Sequence, residues 1–329
     1  MERENLFDGK VALVTGAGRG IGRAEALAFA RLGARVVVND LARGDPPAAD
    51  LVVEEIRDLG GEAIAASGSV SRAEEAERIV AIAVAAFGRL DFLVNNAGFG
   101  RMAPIWDLSE KDWNAVIAVN LTGTFLMCRA AAWAMREQDS GVIINTASEA
   151  AHGDTSFSAY MAAKAGVVGL TRGIARDLMR DAIRCNAVTP RAFDTGQTNV
   201  AAWESLGAFH DRYGVAMGSP HPMGPIPGTS AEVAEIVAWL CSDRAAAITG
   251  RLIVAGCGEV GVWEEPALAH SLIDERGWTV DRLDAVADVL IADAANPFLD
   301  LPAEAWAEID GRHRARLKQG ERARAVEAG

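Results

Sequence analysis

Cysteine is scarce in this sequence of 329 residues. The spacing of the cysteines forms neither a C-x-x-C pair nor a zinc-ligand pattern, so we expect no metal site. We expect free, buried thiols in a reducing cytoplasm. The four cysteines are Cys128, Cys185, Cys241 and Cys257.

Positive charge is also in short supply. The sequence has 32 lysines and arginines against 45 acidic residues, a net charge of −13. This balance disfavours nucleic acids and anionic membrane surfaces, which bind basic patches. The sequence shows no apolar run of membrane-spanning length and no basic and apolar leader at its start. We therefore expect a cytoplasmic protein without a membrane partner.

Short apolar runs alternate with helical patterns from Val11 to Val254. This alternation predicts an α/β fold, a single Rossmann-like doubly wound parallel sheet with helices on both faces. Strands are predicted near residues 11–14, 35–39, 62–66, 92–95, 142–146, 184–188 and 252–254. Helices are predicted near residues 20–32, 48–59, 72–87, 110–137, 158–179 and 231–241.

A glycine-rich turn joins the first predicted strand to the first predicted helix. Gly16, Gly20 and Gly22 permit a tight turn and the close approach of a pyrophosphate. The helix that follows offers free N–H groups and the positive end of its dipole. The order of strand, glycine loop and helix therefore predicts a nucleotide site.

An acidic residue, Asp40, ends the second predicted strand 18 residues after Gly22. A carboxylate there accepts hydrogen bonds from an adenosine ribose and repels a 2′-phosphate, which favours NAD. Arg19, Arg23 and Arg43 are a counter-signal, because a nearby cation could hold that phosphate. NADP therefore remains the alternative cofactor.

Tyr160 and Lys164 are four residues apart in a predicted helix, so both side chains lie on one face. An ammonium group near a phenol favours the phenolate, because the opposite charge stabilises the ionised form. The pair is therefore a candidate for acid–base catalysis at neutral pH.

Together with further motifs, these features resemble the classical short-chain dehydrogenase/reductase family from about Phe7 to Gly258. The supporting motifs are the glycine loop, Asn95–Gly98, Ile117–Gly123, Gly141–Ser148, the Tyr160 and Lys164 pair, and Ile183–Pro190 with Thr195. The resemblance implies a cofactor site composed of Gly16, Arg19, Gly20, Ile21, Gly22, Asp40, Ser69, Val70, Asn96, Ala97, Gly98, Tyr160, Lys164, Pro190 and Thr195.

The resemblance also implies roles in proton and hydride transfer between a secondary alcohol and a ketone. Tyr160 is the expected general base in oxidation and acid in reduction, and Lys164 lowers its pKa and binds the nicotinamide ribose. Ser148 holds the reacting oxygen, with Thr146 as a fallback because the loop before Tyr160 is one residue short. Asn120 anchors a water that links Lys164 to solvent.

The substrate pocket is less defined by the sequence. Arg191 replaces the usual glycine after Pro190 and either binds an anion or points to solvent. Residues 191–229 form a long loop that is either a substrate lid or packs on itself. The candidate pocket residues, some of which are equally compatible with a surface position, are Glu149, His152, Arg191, Phe193, Trp203, His210 and Tyr213.

Residues 1–261 are the predicted catalytic domain, and residues 262–329 are a predicted helical C-terminal extension whose first helix is capped by Thr279. The extension covers its own subunit or a partner subunit, and closure of the substrate pocket is a further hypothesis. In the family, helices matching 110–137 and 158–179 form oligomer contacts, so a homodimer or homotetramer is expected.

The predicted substrate is a bulky hydrophobic alcohol or ketone of steroid, terpenoid, polyketide or hydroxyacyl type. Val36–Leu41 and the extension are similar to the (3R)-hydroxyacyl-CoA dehydrogenase module of peroxisomal multifunctional enzymes. Two alternatives remain: a non-redox enzyme on the same scaffold, such as an epimerase, dehydratase or cyclase, and a catalytically silent NAD-binding protein.

Overall fold

The computed structural model describes residues 6–152, 156–192, 194, 227–264, 271–275, 277–286 and 289. The chain divides into two compact units, Met1–Glu264 and Glu265–Gly329.

A single sheet organises the described part of the first unit. Its strands follow the order β3-β2-β1-β4-β5-β6-β7-β8. Strands β1 to β7 pair in parallel, and β8 runs antiparallel to β7. The strands are β1 (Val11–Thr15), β2 (Arg35–Asn39), β3 (Glu62–Ala65), β4 (Phe92–Asn95), β5 (Gly141–Thr146), β6 (Ile183–Arg191), β7 (Leu252–Gly256) and β8 (Glu259–Val262).

Helices connect the parallel strands, as crossover connections require. The helices of the described residues are α1 (Gly20–Arg31), α2 (Ala48–Asp58), α3 (Ala73–Phe87), α4 (Glu110–Ile117), α5 (Gly123–Glu137), α6 (Ser158–Asp177), α7 (Ser230–Cys241) and α8 (Val280–Asp284). A π turn, Ala118–Thr122, joins α4 to α5, and 3-10 turns cover Glu149–His152, Met179–Asp181 and Asp243–Ala245.

Two apolar cores lie on opposite faces of the sheet. Phe29 of α1, Ile56 of α2 and Leu240 of α7 are buried in one core. Ile79 of α3 and Met127 of α5 are buried in the other. The central strands are rich in valine, leucine and isoleucine because both faces are covered.

The structure confirms the predicted fold class, and the predicted strands and helices agree with the observed bounds to within a few residues. Thr279 caps α8 by accepting a hydrogen bond from the Arg282 backbone N–H, as expected. The sequence did not predict β8, which has four residues and a mostly exposed surface. It also predicted one continuous helix over 110–137, which the π turn interrupts.

The helical segment Glu110–Glu137 has the length and apolar composition of a membrane span, contrary to our expectation that no run would qualify. However, Met127, Ala131 and Met135 on this segment are fully buried in the core beside the sheet. We interpret the segment as a core helix, because the buried helices of an α/β domain pass the same test of composition.

Candidate active site

The candidate site lies at the carboxyl edge of the sheet, where the strand order changes direction between β1 and β4. In open parallel sheets, ligands bind in the crevice at this switch point. The loop after β1 contains Gly16, Gly20 and Gly22, and the loop after β4 contains Asn96 to Gly98. Both predicted cofactor motifs therefore meet at one place.

The glycine loop has the shape that a dinucleotide cradle requires. Gly16 and Gly20 adopt φ values of 62° and 56°, in the left-handed region that favours glycine. A Cβ atom at Gly16 would lie 2.8 Å from the Ala97 Cα, which is too close. The N-cap residue of α1, Arg19, makes no side-chain capping bond, which leaves the N-terminal N–H groups of α1 available for a pyrophosphate.

The loop after β4 supports this cradle. The Asn96 side chain donates to the carbonyl oxygens of Thr15 and Gly16 at 3.0 and 3.1 Å. The Thr15 hydroxyl accepts from the backbone N–H groups of Asn96 and Ala97, both at 3.1 Å. The Asn96 side chain therefore holds the start of the glycine loop in place.

Asp40 lies directly against the same loop. Its Oδ2 accepts a hydrogen bond from the Gly18 N–H at 2.9 Å, and its Oδ1 accepts from the Leu41 N–H at 2.7 Å. Arg23, one of the three arginines that favoured NADP, is paired with Glu55. This pairing directs the Arg23 guanidinium toward α2 and weakens one part of the counter-signal.

The remaining predicted cofactor residues that the structure describes surround this edge. Val70 is buried against Gly123 at the start of α5, and Ser69 donates its N–H to Glu75 at 2.7 Å. Ile21 is partly buried against the core of α1. Pro190 pairs with Ala255 near the end of β6.

Four predicted catalytic side chains converge beside the cradle. Ser148 follows β5, and its side chain is near enough to the Tyr160 phenol of α6 to lower the pKa of that phenol. The Lys164 Nζ lies 5.4 Å from the centroid of the Tyr160 ring. A Cβ atom on Gly98 would lie 2.5 Å from the Asn120 Oδ1 and 3.5 Å from the Lys164 Nζ, so both groups border the same glycine.

The pKa values of Tyr160 and Lys164 shift in a way that the sequence did not predict. Burial raises the pKa of the Tyr160 phenol, and the neighbouring Ser148 side chain acts in the opposite direction. Burial also lowers the pKa of Lys164 to about 7, and its Nζ donates to the Thr146 carbonyl oxygen at 2.6 Å. Desolvation of both groups therefore outweighs the expected lowering of the Tyr160 pKa by Lys164.

Asn120 lies in the π turn, a type of irregularity that is frequent at functional sites. Its Nδ2 donates to the carbonyl oxygens of Phe99 and Val116 at 2.8 and 3.0 Å. Its buried Oδ1 accepts no hydrogen bond within the described residues. The free lone pairs next to Lys164 fit the expected role of Asn120 in holding a water.

Three predicted pocket residues form contacts that the sequence did not predict. Arg191 Nε donates to Glu149 Oε1 at 2.6 Å, and its NH1 donates to Glu259 Oε2 at 2.6 Å. The Arg191 side chain is only 9% exposed, so it does not point to solvent. Its guanidinium group is paired with two carboxylates and is not available to bind an anion bidentately. The centroids of the His152 and Trp263 rings lie 4.3 Å apart.

The sequence analysis missed Glu259, Trp263 and Phe157, which contact site residues. The Phe157 ring lies 6.0 Å from the Tyr160 ring in an edge-on orientation. Phe157 precedes Tyr160 by three residues, a spacing that places both on one side of the helix start. Glu259 and Trp263 carried no signal, because the sequence did not predict β8.

Several predicted residues lie outside the described part of the chain. These residues are Phe193, Thr195, Trp203, His210 and Tyr213.

The described residues contain no group of three or more His, Cys, Asp or Glu side chains that could hold a metal ion. The four cysteines are free and buried, as predicted.

Comparison with known proteins identifies the family. The short chain dehydrogenase family matches residues 10–204. The chain is 38% identical over 293 residues to the hydroxyacyl-CoA dehydrogenase ChsB1 of Mycobacterium tuberculosis, which covers 85% of this chain and 87% of that protein. It is 38% identical over 268 residues to mouse peroxisomal multifunctional enzyme type 2, which covers 78% of this chain and 33% of that protein.

A solved structure gives the same result. The crystal structure of a short chain dehydrogenase from Mycobacterium avium matches with a TM-score of 0.73 and 37% identity, over 87% of this chain and 96% of that chain. The likeness to the multifunctional enzymes noted in the sequence is also confirmed. The chain therefore belongs to the short-chain dehydrogenase family, whose members are oxidoreductases that use nicotinamide cofactors.

Proposed function

We propose that the protein is an NAD-dependent dehydrogenase that interconverts the secondary alcohol and ketone of a hydroxyacyl thioester. The observation that carries the proposal is the convergence of Ser148, Tyr160, Lys164 and Asn120 at the switch point of the sheet. The hydroxyacyl class is supported by the names of two relatives, a hydroxyacyl-CoA dehydrogenase and a peroxisomal multifunctional enzyme.

The proposed cofactor is NAD. The Asp40 carboxylate faces the glycine loop at Gly18, where its charge would oppose a 2′-phosphate. The α1 N-terminus would hold the pyrophosphate, and Lys164 would hold the nicotinamide ribose. When bound, the nicotinamide accepts or supplies the hydride.

The protein's own contribution is to hold and move a proton. Ser148 binds the substrate oxygen and Tyr160 takes its proton in oxidation or returns it in reduction. The raised pKa of Tyr160 keeps the phenol protonated at neutral pH, as the acid in reduction requires. Asn120 and Lys164 line the route by which that proton reaches solvent.

The first test is NADH formation, followed at 340 nm, from a 3-hydroxyacyl-CoA, with free secondary alcohols and with NADP as comparisons. Tyr160→Phe should lower kcat by about 10²- to 10⁴-fold, because it removes the general acid–base group. NADH binding by this variant, measured by titration, should remain close to that of the wild type.

A matched pair of variants identifies the hydroxyl that holds the substrate. Ser148→Ala should lower kcat strongly, whereas Thr146→Val should have little effect, because Lys164 contacts the Thr146 backbone rather than its hydroxyl. Substrate consumption without a change at 340 nm would contradict the proposal and favour non-redox chemistry. Full activity of Tyr160→Phe would contradict the proposed mechanism.

A further inference from the structure

Within the described residues, the backbone of the turn that presents Ser148 is bonded internally, from the Ala151 N–H to the Ser148 carbonyl oxygen at 3.0 Å, and to the sheet through Ala147. Ala147 donates its N–H to the Val188 carbonyl oxygen of β6 at 2.8 Å. The Ser148 Oγ accepts from the Ala150 N–H at 3.2 Å, within the 3-10 turn Glu149–His152. The position of the hydroxyl therefore depends on what holds this turn in place.

The first residue of the turn, Glu149, is fastened by an ion pair. Both the Nε and NH2 of Arg191 lie within 2.6 Å of the Glu149 Oε1. The NH1 of the same guanidinium binds Glu259 of β8 at 2.6 Å. Charge-assisted bonds of this kind are short and directional, so they fix the turn relative to β6 and β8.

The last residue of the turn, His152, is fastened separately. Its ring centroid lies 4.3 Å from that of Trp263, the residue that follows β8. The Trp263 indole N–H donates to the Thr189 hydroxyl of β6 at 3.2 Å, and its backbone N–H donates to the Leu252 carbonyl oxygen of β7 at 3.0 Å. Both ends of the turn are thus tied to the same region of the sheet.

We propose that Arg191, Glu259 and Trp263 form a clasp that positions Ser148 beside Tyr160. Arg191 and Trp263 are positioning residues, since they act through Glu149 and His152 on the turn. This inference rests on the proposed function, in which Ser148 and Tyr160 carry the reaction.

The clasp has a signature in the pH dependence of turnover. The Ser148 side chain lowers the pKa of Tyr160, so a displaced Ser148 leaves that pKa higher. In the oxidation direction, the acidic limb of the kcat profile then moves to higher pH. The titratable and charged groups of this region are Lys164 on α6 and Glu149, His152, Arg191 and Glu259 around the clasp.

Two variants that change the charge near Tyr160 in opposite directions distinguish a positioning effect on its pKa from an electrostatic effect. By charge alone, Arg191→Met raises the pKa of Tyr160 and Glu149→Gln lowers it. If the clasp positions Ser148, both variants raise that pKa. Trp263→Phe keeps an aromatic ring near His152 but is smaller and lacks the indole N–H, so it tests the second fastening without a charge change.

The experiment measures kcat and KM against pH for NADH formation from a 3-hydroxyacyl-CoA. Arg191→Met, Glu149→Gln and Trp263→Phe, called the clasp variants, should each lower kcat on the order of 10- to 100-fold, the range for a misplaced reacting group. Each should leave the KM for NAD nearly unchanged. Arg191→Lys should recover part of the loss. The double variant Glu149→Gln/Arg191→Met should have a kcat no lower than that of the poorer single variant. Both substitutions remove the same Glu149–Arg191 ion pair, so their effects should not add.

Arg31→Met is the control, because it removes an arginine–glutamate pair with Glu235 between α1 and α7. Wild-type kcat and pKa in the clasp variants, or opposite pKa shifts in Arg191→Met and Glu149→Gln, would overturn the clasp and leave the proposed function intact. Absence of turnover in the wild type would overturn both. If Arg191→Met fails to fold, the outcome with Trp263→Phe decides.

Discussion

Glu25 is a carboxyl group buried in α1, with no solvent exposure. Within the described residues, neither of its oxygens has a hydrogen-bond partner. Burial raises its pKa from 4.5 to about 8, because the charged form loses its hydration. At neutral pH, the folded protein therefore holds Glu25 mainly as the neutral acid.

This buried acid predicts that the free energy of unfolding depends on pH. Between pH 4.5 and pH 8 the folded state binds a proton that the unfolded state has released, so stability falls as pH rises through this window. Glu25→Gln should remove the contribution of Glu25 to this slope and be more stable than the wild type above pH 8, by up to roughly 5 kcal/mol at about 1.4 kcal/mol per pKa unit. Urea unfolding at several pH values measures the difference.

The difference between the wild-type and Glu25→Gln curves isolates Glu25, because Lys164 is present in both proteins. Lys164 affects each curve with the opposite sign. Its pKa of about 7 lies below the usual 10.5, so its contribution raises stability between these pH values. The exposed residue Glu54 provides the control, and Glu54→Gln should follow the wild-type curve. Parallel curves for Glu25→Gln and the wild type would show that Glu25 is charged in the folded state.

At the residue scale, the sequence predicted which side chains meet but not their protonation. Spacing is enough to place Tyr160 and Lys164 on one face of α6. Their pKa values depend on burial by distant segments, which spacing does not reveal. The same limit applies to Arg191, whose partners Glu149 and Glu259 are 42 and 68 residues away in sequence.

The β7–β8 hairpin has a strict steric requirement beside Arg191. Gly256 adopts a φ of 121°, and a Cβ atom there would lie against the Arg191 carbonyl oxygen. Gly261, on the other strand of the hairpin, has its nearest neighbour at 3.7 Å and no positive φ. The two glycines form a matched pair for substitution.

Gly256→Ala should lower the free energy of unfolding by about 2 kcal/mol, through backbone strain and displacement of β6 at Arg191. Because Arg191 holds the Ser148 turn, kcat should fall as well. Thermal and urea unfolding measure the first effect, and NADH formation measures the second. Gly261→Ala should be close to the wild type in both, and a similar loss in the two variants would contradict this account.

At the element scale, the sequence predicted the seven parallel strands because their apolar runs are continuous and bounded by turns. β8 was missed because only its register with β7 makes it a strand, from Ile253↔Val262 to Gly256↔Glu259. The π turn Ala118–Thr122 was missed because the apolar pattern runs through it without a break. Both are set by tertiary contacts rather than by local preference.

At the scale of the whole molecule, every described residue of the candidate cofactor site lies in the unit Met1–Glu264. A chain that ends at Glu264 should therefore unfold cooperatively and bind NADH with a Kd within about threefold of the full chain, a change below about 1 kcal/mol. Fluorescence titration of NADH measures the Kd. Loss of NADH binding would show that residues 265–329 are needed for the cofactor site.

The same truncation tests the hypothesis that the C-terminal extension closes the substrate pocket. That hypothesis predicts a higher KM for a hydroxyacyl-CoA with an unchanged Kd for NADH. Unchanged values for both would leave the extension with another role, such as an oligomer contact. The overall fold could be predicted because strand and helix patterns alternate over most of the chain, whereas the extension offers only isolated amphipathic stripes.

One hydroxyl group contacts both β4 and the loop after it at the switch point of the sheet. Thr15 ends β1, and its Oγ1 donates to Val94 of β4 at 3.4 Å and accepts from the backbone of Asn96 and Ala97. These bonds add to the backbone pairing of β1 with β4 and extend it into the loop that follows β4. A Thr15→Val variant, which loses all three bonds, should therefore bind NADH more weakly than the wild type.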